Sequence, residues 1–257
     1  MKIIFSEYQS DYKSYHFPYQ VYLLKEENDS IDEIYNMGFL PSRSRLHLYY
    51  LSRSTRIDLE RFNPSSENRR ILRKTDYLTY EVIKLDSFKY TYHIGKFGKD
   101  FYDQRFGKGT MSALRVKWLF TGGACSHVFT YYDKSDKDKI IGYCPVVITD
   151  NILHYTYPFY DIAYFERNLG MGMMLSALLW AQKRKKTHIY LGTCYTESSL
   201  YKAQFNGFEY FNGYDWSSDI DQLKSFLREG IRDHTMKHSS QKESIFEKKG
   251  IKISIKK

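Results

Sequence analysis

The stretch at residues 154–210 decides the fold and reads HYTYPFYDIAYFERNLGMGMMLSALLWAQKRKKTHIYLGTCYTESSLYKAQFNGFEY. Alternating apolar and aromatic residues predict a strand over 152–160. Apolar residues at helical spacing predict a helix over 171–183, and basic residues follow where they complement the helix dipole. A β-branched run over 187–195, a short helix and a strand over 208–216 complete the pattern.

A glycine-rich hexapeptide, RNLGMG at residues 167–172, joins the first strand to the helix. Its form, R-x-x-G-x-G, resembles the pyrophosphate loop of the GNAT acyltransferase fold. Glycines at a helix start let the backbone approach an anion, and free N–H groups with the helix dipole then hold phosphate. The alternative is a turn that merely ends the strand, and the motif alone does not choose between them.

Composition bounds the class of protein. The chain has 257 residues, a formal net charge of +9 and a sequence pI near 9.2. This length suffices for a sizeable core and two modest domains. The basic balance favours a polyanionic partner, although charge bears on binding rather than on fold. The 25 tyrosines suit stacked bases as well as half-buried strand positions.

The cysteines indicate a reducing compartment. Cys125, Cys144 and Cys194 form no C-x-x-C pair and no close metal spacing, and their odd number predicts reduced cytosolic thiols. Residues 1–5 are too short for a signal peptide, and no apolar run approaches 18 residues. We therefore expect a cytoplasmic protein without a membrane partner and without a bound metal.

The N-terminal part carries a basic cluster. A helix is predicted to begin after Ser65 or Ser66 and to carry four basic residues in two pairs, each pair one turn apart. Such a cluster can hold phosphate or carboxylate, and the alternative is a solvated basic face. The basic residues are Arg69 with Arg73 and Arg70 with Lys74.

The remaining pattern predicts the architecture. Short elements are expected at 31–37 and 56–59, residues 76–110 look mixed, and a helix is predicted over 112–120. Strands at 127–132 and 140–149 precede the opening stretch, and a helix at 219–228 follows it. The fold class is therefore α+β, a GNAT-like mixed sheet with flanking helices plus an N-terminal α/β module. The predicted divisions are an N-terminal module at 1–75, a core at 76–228 and a basic tail at 229–257.

Two separated blocks resemble the aminoacyl-tRNA–protein transferases, the arginyl and leucyl transferases of the N-degron pathway. The first block is GFLPSRS at 38–44 followed by RIDLERFNPSSENRRILRK at 56–74. The second is FYDIAYFERNLGMG at 159–172 followed by HIYLGTCYTESSLYKAQF at 188–205. They resemble the family's G-F-x-x-S, R-[VI]-x-x-x-x-F-x-P-S-x-x-x-R-R, F-x-D, R-x-L-G, Y-L-G and Y-K-x-[RQ]-F elements, in order.

The chain also departs from the family pattern. Most members carry a cysteine cluster where this sequence reads LHLYYLSRST, so ligands for a cysteine-bound metal or iron–sulfur cluster are missing there. Gln204 stands where arginine often follows Y-K-x. Both departures leave the donor amino acid and any redox control open.

The resemblance implies that a protein's N-terminal amine attacks the ester carbonyl of an aminoacyl-tRNA. An α-amino group has a pKa of about 8, so part of it is already neutral near pH 7. The ester is activated, so catalysis needs positioning and oxyanion stabilisation rather than a nucleophilic side chain. No cofactor is implied.

The resemblance also implies site residues. Asp161 and Tyr195 are the catalytic candidates, with Asp161 pairing with the donor's guanidinium or α-amino group; the alternative for Asp161 is to cap a turn. Arg69 and Arg70 are expected to read an acidic acceptor residue, or else to contact the tRNA backbone. Packing is the alternative for the tyrosines, and a solvated charge for Lys202. The candidates for binding the aminoacyl-tRNA end are Arg167, Leu169, Gly170, Gly172, Tyr201 and Lys202.

The function expected from this resemblance is aminoacyl transfer from arginyl-tRNA, with leucyl-tRNA as the other donor, to acceptor proteins that start with Asp or Glu. A GNAT acetyltransferase using acetyl-CoA is one alternative, since the glycine loop suits CoA equally. A non-enzymatic tRNA- or RNA-binding protein is the second, because the cysteines of the family are missing.

Overall fold

The structure is a computed structural model. The chain forms two compact units. The N-terminal unit comprises Met1–Arg56, Gly192–Gln204 and, as far as the structure describes it, Phe208–Lys257. The core unit comprises Ile57–Leu191 and Phe205–Gly207. The residues described are 1–7, 10–13, 15, 19–42, 45–228 and 252–255.

Strands and helices are intermixed along the chain. The strands are β1 (Lys2–Glu7), β2 (Tyr19–Leu24), β3 (Phe39–Pro41), β4 (Leu48–Leu51), β5 (Ser54–Asp58), β6 (Leu78–Lys84), β7 (His127–Asp133), β8 (Asp136–Ile148), β9 (Ile152–Tyr155), β10 (Phe159–Tyr160), β11 (His188–Thr193), β12 (Phe208–Phe211), β13 (Trp216–Ser217) and β14 (Lys252–Ile255). The α-helices are α1 (Ile31–Asn36), α2 (Ser66–Lys74), α3 (Tyr92–Phe106), α4 (Ala113–Thr121), α5 (Leu169–Lys183) and α6 (Ile220–Arg228). Short 3-10 helices lie at Leu85–Ser87, Ile162–Arg167 and Glu197–Gln204.

The N-terminal unit contains a five-stranded sheet in the order β14-β1-β2-β4-β3. Strand β1 pairs antiparallel with β2 and parallel with β14. Alternate residues of the first two strands, such as Ile3 and Leu23, are fully buried, as expected when one sheet face packs on a core. Helix α1 begins after Ser30, whose side chain accepts from the Glu33 N–H, close to the predicted element.

The predicted strand over 208–216 is two short strands. Residues of β12 and β13 pair antiparallel, with Tyr210 opposite Ser217 and Phe211 opposite Trp216. The chain reverses between them, where the Asn212 side chain accepts from the Tyr214 and Asp215 N–H groups. An asparagine that bonds the following backbone in this way is a turn signal, which the run of aromatic residues masked in the sequence.

The core unit is built on a mixed sheet. Neighbouring strands follow the order β6-β7-β8-β9-β11, and β10 also pairs with β8. All these pairs are antiparallel except β9 with β11, which are parallel and connected through α5. The predicted α+β class, a mixed sheet with flanking helices, is thereby confirmed.

The predicted strand over 152–160 is interrupted. Tyr155 lies opposite Val146 and Phe159 lies opposite Tyr143, so four steps along one chain match three along β8. One extra residue in a ladder is a β-bulge, which bends the strand and often lies beside a functional site. Pro158, which cannot donate a ladder hydrogen bond, lies in this gap. Strand β10 and the 3-10 helix Ile162–Arg167 follow the bulge and lead to the glycine turn.

The mixed region at 76–110 resolves into β6 and the long helix α3, neither of which the sequence predicts. Glycines and aromatic residues lower the helix propensity of this region, which hides α3 in the sequence. The structure supplies the reason for one of them: a Cβ on Gly98 would lie 2.9 Å from Val116 Cγ2 of α4. Gly98 thus lets two helices approach closely, and Phe97 packs edge-on against Phe159 of β10.

Several predicted helix starts are confirmed. Ser65 is the N-cap of α2, and it forms a capping box in which Ser65 and Asn68 each accept from the other's backbone N–H. Ser112 caps α4 by accepting from the Arg115 N–H. Within the described part of the chain, no helix is long and apolar enough to cross a membrane.

The predicted tail lies largely outside the described residues, which omit 229–251 and 256–257. The segment that is described, β14, adds a parallel strand beside β1. The division into modules at residues 75 and 228 concerns function and stays a prediction.

We predict that Gly172→Ala lowers the stability of the protein. The new Cβ would lie 2.7 Å from Thr75 Cγ2, so overlap is expected to lower the free energy of unfolding by roughly 1–3 kcal/mol. This outweighs the helix propensity of alanine, which favours the variant by about 1 kcal/mol. Urea unfolding measures the change. Lys183→Ala, on an exposed position of the same helix, is the control, and an unchanged or more stable Gly172→Ala would contradict the prediction.

Candidate active site

The glycine turn of the core unit begins α5 without a side-chain cap. Asn168, at the N-cap, has left-handed φ and ψ of 61° and 27° and makes no side-chain capping hydrogen bond. Asparagine tolerates this conformation better than most residues. The first backbone bond of the helix runs from the Gly172 N–H to the Asn168 carbonyl at 3.0 Å. The Asn168 side chain therefore does not cap the helix, and the positive end of the helix dipole lacks that partner.

The two glycines of the turn have a packing role that the sequence did not reveal. A Cβ on Gly170 would lie 2.9 Å from the Cε1 and hydroxyl oxygen of Tyr160, and one on Gly172 would meet Thr75. Protein side chains therefore occupy the positions that the missing Cβ atoms leave. Close packing alone explains both glycines, and binding of phosphate by Leu169, Gly170 and Gly172 stays a prediction.

Arg167 lies in an aromatic setting at this turn. Its guanidinium carbon is 3.8 Å from the ring centroid of Tyr77 and 4.8 Å from that of Tyr164. Its Nη1 is 3.5 Å from Asp133 Oδ2, which also accepts a hydrogen bond from the Tyr164 hydroxyl at 3.1 Å. The Arg167 side chain remains 48% exposed, so it is oriented by these contacts and still open to an anion.

Asp133 anchors this cluster. Hydrogen bonds from the side chain and the backbone N–H of Ser135 are the main reason why the pKa of the Asp133 carboxyl is lowered. Burial raises the pKa of the Tyr77 hydroxyl to about 12, so Tyr77 is neutral at physiological pH. Sequence reasoning named Arg167 but missed Asp133, Tyr77 and Tyr164, because nothing in the sequence pairs residues so far apart.

Asp161 caps the 3-10 helix that leads into the turn. Its Oδ1 accepts from the Ala163 N–H at 3.0 Å, which is the alternative that the sequence left open. The side chain is only partly buried, so the capping bond does not consume its second oxygen. The predicted contact with the donor amino acid stays a prediction.

The basic pair on α2 already has partners. Arg70 makes a two-pronged ion pair with Glu67, and Arg69 donates to the Pro64 carbonyl at 2.6 Å. Both side chains lie at the surface of the core unit, where ion pairs contribute little and exchange readily with solvent. The structure therefore leaves the predicted roles of Arg69 and Arg70 open.

Lys202, in the N-terminal unit, is not a solvated charge. Its side chain is 8% exposed, and its Nζ donates to the Thr193 carbonyl at 2.7 Å. Burial lowers the pKa of the Lys202 ammonium to about 8. Tyr201, by contrast, is 44% exposed, with its ring centroid 5.9 Å from the Lys202 Nζ. A buried lysine of this kind suits a small, enclosed group better than a solvated phosphate.

Tyr195 lies beside a second buried cation, Arg53, which sequence reasoning missed. The Tyr195 hydroxyl accepts from the Arg53 backbone N–H at 3.1 Å, and the Cys194 N–H donates to the Arg53 carbonyl at 3.0 Å. The Arg53 side chain points back over Tyr195, with its guanidinium carbon 5.7 Å from that ring's centroid. Burial raises the pKa of the Tyr195 hydroxyl, which keeps it neutral.

The three cysteines are free and buried. Burial raises the pKa of the Cys125 thiol to about 12 and raises those of Cys144 and Cys194 as well. These thiols are therefore poor nucleophiles. Among the residues that the structure describes, no group of three or more His, Cys, Asp or Glu side chains is arranged to hold a metal ion.

A comparison with protein families matches residues 74–212 to the family described as arginine-tRNA-protein transferase, C terminus. This match covers more than half of the chain and includes the core sheet, the glycine turn and α5. The chain therefore belongs to this family, and it is an aminoacyltransferase.

Curated relatives agree with this class of enzyme. The chain is 27% identical over 208 residues to an aspartate/glutamate leucyltransferase of Saccharophagus degradans, covering 73% of this chain and 82% of the relative. It is 24% identical over 167 residues to an enzyme of the same name from Xanthomonas campestris pv. campestris, covering 63% of this chain and 66% of the relative.

Solved structures give weaker likenesses. L-PGS from Bacillus licheniformis has a TM-score of 0.41 and 13% identity, covering 68% of this chain and 55% of that one. A GCN5-related glucosamine N-acetyltransferase region of a fungal β-N-acetylglucosaminidase has a TM-score of 0.43 and 9% identity, covering 72% of this chain and 22% of that one. Scores this low carry no argument about function.

We predict that Lys202→Met changes how stability depends on pH. Because the folded-state pKa lies below the ordinary 10.5, the unfolded chain binds the extra proton between about pH 8 and 10.5. Stability from this group therefore rises with pH through that window, by at most about 3 kcal/mol. The wild type should accordingly gain stability relative to Lys202→Met when the pH is raised from 7 to 10.

Denaturant unfolding of both proteins at pH 7, 8.5 and 10 provides the measurement. Lys224→Met, which removes a half-exposed lysine of α6, is the matched control. A constant difference for Lys202→Met would show that the ammonium is not buried in solution.

Proposed function

We propose that this aminoacyltransferase moves an amino acid from its tRNA to the N-terminal amine of proteins whose first residue is Asp or Glu, marking them for the N-degron pathway. The observation that carries the proposal is the alignment with the S. degradans aspartate/glutamate leucyltransferase, which extends over 82% of that enzyme. A net charge of +9 supports a polyanionic donor, and a cytoplasmic location belongs to the same proposal.

Two observations bear on the donor amino acid. The sequence blocks favour arginine, whereas the curated relatives are named as leucyltransferases at 24–27% identity. We propose leucine as the donor to be tested first, because these alignments extend over most of the chain. Arginine is the second candidate, since the matching family is described by arginine-tRNA.

The proposed chemistry is a single acyl transfer. The acceptor's neutral α-amine attacks the ester carbonyl, a C–N bond forms, the ester C–O bond breaks, and the ribose hydroxyl of the tRNA leaves with a proton. The three cysteine thiols of the chain are buried, so none of them is proposed as the nucleophile of a covalent intermediate. Positioning of the two substrates and stabilisation of the oxyanion are then the main contributions of the protein.

The tRNA end is proposed to lie at the start of α5. The helix terminus supplies amide donors and a positive dipole, and Arg167 adds a half-exposed cation held by Tyr77, Tyr164 and Asp133. Arg69 and Arg70, on the surface of α2, suit contacts with the tRNA backbone. Lys202 is withdrawn from this set, because its ammonium is buried and donates to Thr193.

A transfer assay tests the function. The purified protein is given tRNA charged with single labelled amino acids, and peptides starting with Asp, Glu, Asn, Gln or Lys. We expect label from leucyl-tRNA on Asp and Glu peptides and little on the others. Arginyl-tRNA as the better donor would reverse the donor choice only. No transfer from any donor, together with calorimetric binding of acetyl-CoA, would favour the acetyltransferase alternative.

We predict that Arg167→Gln weakens binding of charged tRNA by roughly three- to tenfold at physiological salt and makes the affinity less dependent on salt by about one ion. Filter binding over a salt series measures both. Arg184→Gln removes an arginine that also lies over an aromatic ring, Trp180, at the far end of the same helix, and it is the control. Equal losses in both variants would show that Arg167 contributes only general charge.

Arg167 gives a cleaner test than the glycines. A side chain on Gly170 would displace the Tyr160 ring, so a loss of activity in that variant would not separate packing from phosphate binding.

A further inference from the structure

Arg53 is a buried cation held in place by its own backbone. It lies between β4 and β5 in the N-terminal unit, where its N–H and carbonyl both bond to residues 194–195. Its side chain is 4% exposed. The backbone bonds fix the main chain of Arg53, and burial restricts where its guanidinium can lie.

One donor of the Arg53 guanidinium lacks the acceptor that a buried arginine normally has. The rings of Tyr195 and Phe226 lie 5.7 Å and 5.2 Å from its carbon, yet Nη1 has no hydrogen-bond partner among the described residues. Aromatic rings can stabilise the face of a guanidinium, whereas its N–H donors need acceptors. A buried charge without an acceptor is strongly unfavourable, so this arrangement needs a reason.

A second cation lies in the same part of the unit. Lys202 is buried and donates to the carbonyl of Thr193, and the next residue, Cys194, donates its N–H to the Arg53 carbonyl. Among the described residues, no carboxylate contributes to the electrostatics of either cation. Two buried positive charges therefore lie in one region to which the described residues contribute no negative charge.

Arg56, three residues along, shows what a structural arginine in this unit looks like. Its Nε lies 2.7 Å from Glu209 Oε2, its Nη1 donates to Asn36 Oδ1 at 2.9 Å, and Trp216 covers its face at 3.9 Å. Arg56 thus has a carboxylate, an amide and a ring, whereas the part of the chain that the structure describes offers the Arg53 Nη1 no acceptor. The missing acceptor of Arg53 is therefore expected to come from a ligand.

We propose that Arg53, together with Lys202, binds the side-chain carboxylate of the acceptor's first residue and so determines the preference for Asp and Glu. This rests on the proposed function. A guanidinium binds a carboxylate through two parallel hydrogen bonds, and a carboxylate is small enough for a site this enclosed. A phosphate of the tRNA chain would bring its neighbouring sugars with it, which suits an exposed surface instead.

The proposal differs from the role expected of Arg69 and Arg70. Those two arginines lie on an exposed helix and have partners of their own in Pro64 and Glu67. Arg53 is buried and has an unsatisfied donor. The burial of Arg53 and Lys202 makes the recognition selective, because an Asn or Gln side chain in the site would leave two buried charges uncompensated.

The test measures selection rather than activity alone. Transfer of labelled leucine and arginine is compared for peptides that differ only in Asp against Asn, or Glu against Gln, at the first position. For Arg53→Met we expect kcat/KM with Asp and Glu peptides to fall at least 100-fold, and kcat/KM with Asn and Gln peptides to change less than threefold. Arg53→Lys, which keeps the charge and loses the fork, should give an intermediate selectivity.

Stability separates binding from folding. Removing an unsatisfied buried charge should leave Tm unchanged or raise it in Arg53→Met, whereas Arg56→Met should lower it because Glu209 loses its partner. A large loss of Tm in Arg53→Met would show that the arginine is structural and would overturn the proposal. So would an unchanged preference for Asp over Asn, or loss of that preference in Arg69→Ala with Arg70→Ala alone.

A binding measurement keeps this test independent of the proposed function. Without tRNA, fluorescence anisotropy compares labelled peptides that start with Asp or with Asn, for the wild type and for Arg53→Met. If the wild type transfers no amino acid yet binds the Asp peptide through Arg53, the proposed function fails and the carboxylate site stands. If the wild type binds both peptides equally, the carboxylate site is refuted whether or not transfer occurs.

Discussion

The core unit depends on how closely the start of α5 approaches the side chains around it. Tyr160 and Thr75 occupy the space that side chains on Gly170 and Gly172 would fill, so the helix begins directly against the end of β10 and the end of α2. Any other residue at these positions would push the helix away from both. The orientation of the helix terminus, and of Arg167 before it, follows from that single packing constraint.

Much of the fold could be predicted from the sequence because its signals are local. Ser30, Ser65 and Ser112 cap helices near the predicted positions. Strands β7 and β8 lie close to the strands predicted at 127–132 and 140–149. What could not be predicted depends on contacts between distant residues. Helix α3 was not predicted, because Gly98 lowers helix propensity and its close contact with Val116 is seen only in the structure. The bulge after Tyr155 depends on the register with β8.

Less of the candidate site than of the fold could be predicted from the sequence. The motif R-x-x-G-x-G predicted a phosphate-binding turn at the start of α5, which stays a prediction, and the glycines have a packing role that no spacing could indicate. Lys202 was identified for its charge, whereas its burial against Thr193 changes which groups it can bind. Arg53 is one of 39 basic residues in the sequence, and it is set apart because its Nη1 has no acceptor within the described residues. Unsatisfied burial is a three-dimensional property, so a single sequence does not carry it.

The enclosure of all three native thiols has a practical consequence for studying the enzyme. Since their pKa values are raised, an alkylating fluorophore or spin label should react with them slowly. A cysteine introduced at an exposed position, such as that of Lys224, would then be labelled selectively without first removing the native ones. Distances between labels at chosen positions could thus be measured in the otherwise wild-type protein while substrates are added.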